Sequence, residues 1–106
     1  MTRTDAANIK AMSRKAEEAA ELLRALAHGA RLKVLCELSG GERRVGDLVL
    51  ASGLSQSALS QHLARLREDG LVTTRRDAQT IYYSLTDSRA RQVVRLLFEL
   101  YCGKQQ

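Results

Sequence analysis

The chain has 106 residues, room for one domain and not for two. With 44% apolar and 27% charged residues it has a globular composition rather than a disordered one, and no apolar run approaches the ~18 residues of a membrane span. Seventeen Lys and Arg against twelve Asp and Glu leave a net charge of +5, which suits an anionic partner such as nucleic acid, while no Trp, no Pro and a single Phe argue against a large aromatic-lined cofactor pocket.

The opening MTRTDAANIK carries no hydrophobic stretch, so export is not expected and the cytoplasm is the expected location, with no membrane partner. Two cysteines cannot scaffold a miniprotein, and in that compartment their default state is reduced thiol. Residues 1–12 read as a flexible segment and 13–103 as one domain. From about Ser13 to Ala27, Ala19, Leu22, Leu23 and Leu26 recur at helical spacing. A second helix over about Ala30 to Ser39 aligns Leu32, Leu35 and Cys36. After a polar break from Gly40 to Arg44 comes a short third helix, about Val45 to Ala51. The glycines Gly29, Gly40, Gly41, Gly53, Gly70 and Gly103 follow helical segments and are expected to end them in left-handed conformations.

Ser55 is a candidate N-cap for a fourth helix over about Gln56 to Asp69. Leu59, Leu63 and Leu66 form its inward stripe. Its outer surface is free of acid until Glu68. After Gly70 the apolar period changes to two, so Leu71 to Arg76 and Thr80 to Leu85 read as strands around a tip at Asp77-Ala78-Gln79. Asp87 is a candidate N-cap for a last helix reaching about Cys102, with Ala90, Val93, Val94, Leu97, Phe98 and Tyr101 apolar. The order is mainly α with a β-hairpin wing, a winged helix-turn-helix.

Ala16 to Leu38 (AEEAAELLRALAHGARLKVLCEL), Leu54 to Val72 (LSQSALSQHLARLREDGLV) and Arg75 to Leu85 (RRDAQTIYYSL) resemble the ArsR/SmtB family of bacterial winged-helix repressors. The resemblance rests on Ser-x-x-Ser-x-His-Leu followed by a Tyr-Tyr wing, with one departure at Gly29, where the family pattern has proline. It implies a homodimer that binds operator DNA and releases it when an inducer binds. A reading helix must present donors and acceptors to base edges, which suits Gln56, Ser57, Ser60 and Gln61. His62 falls off the centre of that face, so within the DNA-binding set it is expected as a phosphate-facing or helix-packing residue. Arg65 and Arg67 suit phosphates or surface pairs with Glu68, and Arg75, Arg76 and Gln79 of the wing suit backbone or minor-groove contact. Leu22, Leu23, Leu26, Val93, Val94, Leu97, Phe98 and Tyr101 supply apolar surface for pairing two copies, whose reading helices would then sit roughly 34 Å apart on a near-palindromic site.

The family's metal sites are not matched. Arg43-Arg44-Val45-Gly46-Asp47-Leu48 has no thiol where one site has cysteines, and Arg89 and Leu100 stand where the other has histidines. No metal and no cofactor are assigned. Cys36 and Cys102, with the fourth helix and the wing, resemble the BigR/SqrR subgroup, which implies that the two thiols sense persulfides by forming a disulfide or polysulfide within one subunit. The residues themselves leave open a metal-responsive or generally redox-responsive repressor, or a constitutive DNA-binding protein with structural cysteines, since Cys is among the most buried residue types. No arrangement suggests an enzyme's activated nucleophile.

Overall fold

The computed structural model describes residues 3–103. The elements, in order, are α1 (Arg3–Leu26), α2 (Gly29–Leu38), β1 (Arg43–Arg44), α3 (Val45–Ser52), α4 (Gln56–Glu68), β2 (Val72–Asp77), β3 (Thr80–Leu85) and α5 (Ser88–Cys102). The three strands form an antiparallel sheet in the order β1-β3-β2. None of the described helices is long and apolar enough to cross a membrane.

α1 begins ten residues before the expected start at Ser13. Residues 3–12 contain no Gly or Pro and include three Ala, so they continue the helix in place of a frayed segment. Met1 and Thr2 lie outside the described residues. Residues 6–18 are exposed throughout; only the last turns pack, through Leu22, Ala25 and Leu26.

The junction with α2 is built by α2 itself. Arg31 donates from Nε to the Ala25 carbonyl (2.6 Å) and from Nη2 to that of Arg24 (3.1 Å), satisfying carbonyls left open where α1 stops. His28 is the N-cap, its Nδ1 accepting from the Ala30 N–H at 3.1 Å. Gly29 is therefore the first residue of α2, not a left-handed terminator. Gly53 and Gly70 do end α3 and α4 with φ of 73° and 75°, a region where a Cβ would be strained.

The Gly40–Arg44 break holds the two-residue strand β1, which pairs Arg43 with Tyr83 and Arg44 with Tyr82. So short a strand has no periodicity to read. The β2–β3 hairpin turns through Ala78 and Gln79, with Asp77 opposite Thr80 and Ala78 at φ 58°. Asp87 caps α5 as expected, its Oδ1 accepting from the Ala90 N–H at 2.9 Å.

One core joins the five helices and the β2–β3 hairpin. Val34, Leu35 and Leu38 of α2, Leu48 of α3, and Leu59, Leu63 and Leu66 of α4 meet Val94 of α5 with almost no exposure. Leu71, Val72 and Leu85 fasten the hairpin to it. Arg91 clamps α5 in place, donating to the carbonyls of Ser39 (3.3 Å) and Leu85 (2.8 Å).

Candidate functional site

The short link from Gly53 to Ser55 sets the start of α4. The Ser55 Oγ accepts from the Ala58 N–H at 3.2 Å, so the first turn of α4 is held open to solvent. With Leu59, Leu63 and Leu66 buried inward, Gln56, Ser57, Ser60 and Gln61 project outward, all exposed. Among the described residues none of their side chains has a hydrogen-bond partner, so their amides and hydroxyls are available to a ligand. Such a face can exchange bidentate amide bonds with adenine and hydroxyl bonds with several bases in a major groove. Arg67 is exposed on the same helix. Arg65 pairs with Asp69, at 2.9 Å, rather than with Glu68.

His62 differs from its neighbours. It is half-buried on the flank of α4, its ring centroid 4.5 Å from that of His28. This side chain braces α4 against the α1–α2 junction instead of standing among the base-facing residues. Partial burial lowers its pKa, and the nearby His28 and Arg31 charges lower it further. The folded chain thus favours the neutral ring. Its contribution to stability is present above the ordinary value of 6.5 and is lost as pH falls through the lowered value. Thermal melts between about pH 7.5 and about pH 5.5 should show a falling midpoint that His62→Gln makes shallower. An unchanged pH slope in that variant would contradict this assignment.

The wing is held by a cluster the sequence did not suggest. Glu42, just before β1, receives two hydrogen bonds from Arg75 of β2, at 2.8 and 2.9 Å. The Arg75 guanidinium also lies 4.5 Å from the ring centroid of Tyr82 on β3. The Ser84 hydroxyl donates to the same carboxylate at 3.5 Å. The Arg75 hydrogen bond holds the Glu42 carboxyl below its usual pKa. Arg75 is therefore engaged within the wing, and the cations and amides left unpartnered there are Arg76 and Gln79, both exposed. Glu42 escapes sequence reading because its partner lies 33 residues away.

The two cysteines occupy facing elements. Cys36 is half-buried on α2 and Cys102 is the exposed last residue of α5, a helix that packs on α2. Burial raises the Cys36 pKa, and the charge of Cys102 raises it further, ahead of Glu37. Among the described residues no group of three or more His, Cys, Asp or Glu converges as metal ligands.

The apolar residues expected to pair two copies divide by exposure. Leu26 (4% exposed) and Val94 (1%) belong to the protomer's own core, which leaves them no surface for a partner. Leu22 and Val93 are partly buried against that core. Leu23 (57% exposed), Tyr101 (83%), Phe98 (42%) and the half-buried Leu97 remain available. Phe98 shares a helical stripe with Arg91, Arg95 and Cys102 and lines a cavity with Ser39 at the end of α2. Leu96 and Leu100, not anticipated, are exposed beside Val93 and Leu97 on a separate face of α5. On α1, Ile9, Met12, Ala16, Ala19 and Leu23 follow at alternating spacings of three and four residues, the pattern of a two-helix seam.

The sequence profile of "Bacterial regulatory protein, arsR family" matches residues 28–74, from the α2 cap into β2. The transcriptional activator HlyU of Vibrio cholerae is 46% identical over 99 residues, covering 93% of this chain and 92% of its own length. The structure of reduced HlyU from the same bacterium superposes with a TM-score of 0.82 at 47% identity, covering 88% of this chain and 98% of that one. The structure of the transcriptional repressor BigR from Xylella fastidiosa gives 0.83 at 42% identity, covering 98% and 100%. With its open amide and hydroxyl face on α4, its wing and these relatives, the chain belongs to the ArsR family of DNA-binding transcriptional regulators and is not an enzyme.

Proposed function

We propose that the chain is a dimeric repressor that holds operator DNA while Cys36 and Cys102 are thiols and releases it when reactive sulfur links them. The observation that carries this reading is the placement of the two thiols on helices that pack on each other, Cys36 half-buried on α2 and Cys102 exposed at the end of α5. A relative solved in a reduced form, HlyU, and the repressor BigR support it.

The exposure of Cys102 makes it the first thiol to react, since a half-buried thiol with a raised pKa supplies less thiolate. The Cys102 thiolate attacks the outer sulfur of a persulfide RS–SH. An S–S bond forms on Cys102, the RS–S bond breaks, and RS⁻ leaves. The Cys36 thiolate then attacks the Cys102 sulfur and displaces HS⁻, leaving a disulfide. If Cys36 has itself taken up a sulfur from a second persulfide, the same displacement gives a trisulfide. Both cysteines lose their thiols, and the donor is reduced to RSH and H₂S.

The second copy packs against the α1 seam and the Val93, Leu96, Leu97 and Leu100 face of α5. Two α4 helices related by a two-fold then read a near-palindromic site about one DNA turn apart. A bridge tying the end of α5 to α2 acts on the helix that joins the subunits, so it changes the spacing of the reading helices. A tenfold loss of affinity needs only about 1.4 kcal/mol of such coupling.

Gln61→Ala should weaken operator binding by about 1–3 kcal/mol and relax discrimination at one base pair. Arg76→Gln should weaken binding on all sequences alike and reduce the slope of log K against log salt by about one. Titrations of both variants at several salt concentrations check the division of labour; a sequence-selective loss in Arg76→Gln would contradict it. The reading as a whole is tested by intact-mass measurement after persulfide treatment. An intramolecular bridge with loss of both thiols is expected. Thiols left unreacted, or subunits cross-linked to each other, would overturn it.

A further inference from the structure

A cavity of about 200 Å³ lies along the α2–α5 seam, lined by Ser39, Arg91, Val94, Arg95 and Phe98. Its position relative to the thiols follows from helix spacing. Ser39 comes three residues after Cys36, one turn along α2. On α5, Arg91, Arg95, Phe98 and Cys102 follow at intervals of four, three and four residues, so they share one stripe. Neither cysteine lines the cavity; it lies on the face of α5 that carries Cys102, with Phe98 one turn and Arg95 two turns before that residue, and away from the Leu96 and Leu100 face.

Its chemistry is asymmetric. Arg91 is half-buried, with its guanidinium committed to the Ser39 and Leu85 carbonyls. Arg95 is exposed and has no hydrogen bond or ion pair among the described residues. Val94 and Phe98 give the wall an apolar strip beside the two cations. No carboxylate lines the cavity. A pocket of this kind takes a small molecule with an aliphatic body and a carboxylate, next to thiols that require a sulfur donor.

We infer that this cavity is a donor subsite that binds the carboxylate of a low-molecular-weight organic persulfide through Arg95 and presents its outer sulfur to Cys102. The inference rests on the thiol-switch reading and adds the specificity it lacks. The transfer is the one already balanced: the Cys102–S bond forms, the donor's S–S bond breaks, and the carboxylated thiolate departs. Arg95 touches the donor's carboxylate and not the reacting sulfurs, so its effect is on donor capture.

The test compares bridging rates, read by mass spectrometry, for glutathione persulfide and for its dimethyl ester, whose carboxylates are neutral. Wild-type protein should react faster with the free acid than with the ester, by about two- to five-fold, the worth of an exposed ion pair. Raising the salt concentration should shrink that preference. Arg95→Gln should remove it, and Arg95→Glu should reverse it. Equal rates for both donors in the wild type, or a preference that survives Arg95→Gln, would overturn the subsite alone. No bridging with either donor would overturn the thiol switch and the subsite together.

Discussion

Leu66→Ala is expected to lower the free energy of unfolding by about 2–5 kcal/mol, the range for deleting a buried leucine side chain. Leu66 has no exposure and sits on the inner stripe of α4, where its carbonyl also accepts from the Leu71 N–H at 2.9 Å as the chain leaves the helix. Its neighbours are buried side chains of several elements, so the space left behind collapses only in part. Domains of this kind have about 5–15 kcal/mol of stability in total, so the loss is a large fraction and should reach DNA binding through α4. Urea denaturation gives the number, with an unchanged m-value. Leu50→Ala is the control: Leu50 is 85% exposed on α3 and should change stability by no more than about 0.5 kcal/mol. Similar losses in the two variants would contradict the core described above.

The second large effect concerns the thiols. Cys36→Ser and Cys102→Ser, singly or together, should leave reduced operator binding intact and abolish its response to persulfide, a change of at least about tenfold in the treated affinity. The two single variants should fail in different ways. With Cys102 present and Cys36 absent, the exposed sulfur still accepts a persulfide but cannot close the bridge. With Cys36 alone, reaction should be slower, because burial and the neighbouring charge of Glu37 keep that thiol protonated. Mass spectra of each variant after brief treatment distinguish these outcomes. A persulfide response that survives loss of either sulfur would show that the bridge is not the signal.

Helix order, the Ser55 and Asp87 caps and the hairpin were legible in the sequence because each has a local signal: a period of 3.6 or 2, or a capping side chain. The outward face of α4 was legible for the same reason, since burying Leu59, Leu63 and Leu66 dictates what points away. Long-range polar pairing was not. Nothing local announces that Glu42 will hold Arg75, that His62 will rest on His28, or that Arg31 will close α1. Partition of the apolar stripes was hidden as well. Leu26 and Leu23 look alike along α1, yet one is in the core and the other faces out, because helix rotation is set by tertiary packing. On α5 the expected pairing face included Val94, which is buried in the core, and omitted the exposed leucines at positions 96 and 100.

The most direct measurement is the affinity of the wild-type protein for its operator, reduced and after persulfide treatment, at one fixed salt concentration. Phosphate contacts make affinity fall steeply with salt, so the two titrations must share it. Binding should weaken at least about tenfold once the Cys36–Cys102 bridge is present by mass and should recover when a dithiol reductant removes it. Equal affinities with the bridge demonstrably formed would contradict the link between the sulfur pair and DNA release.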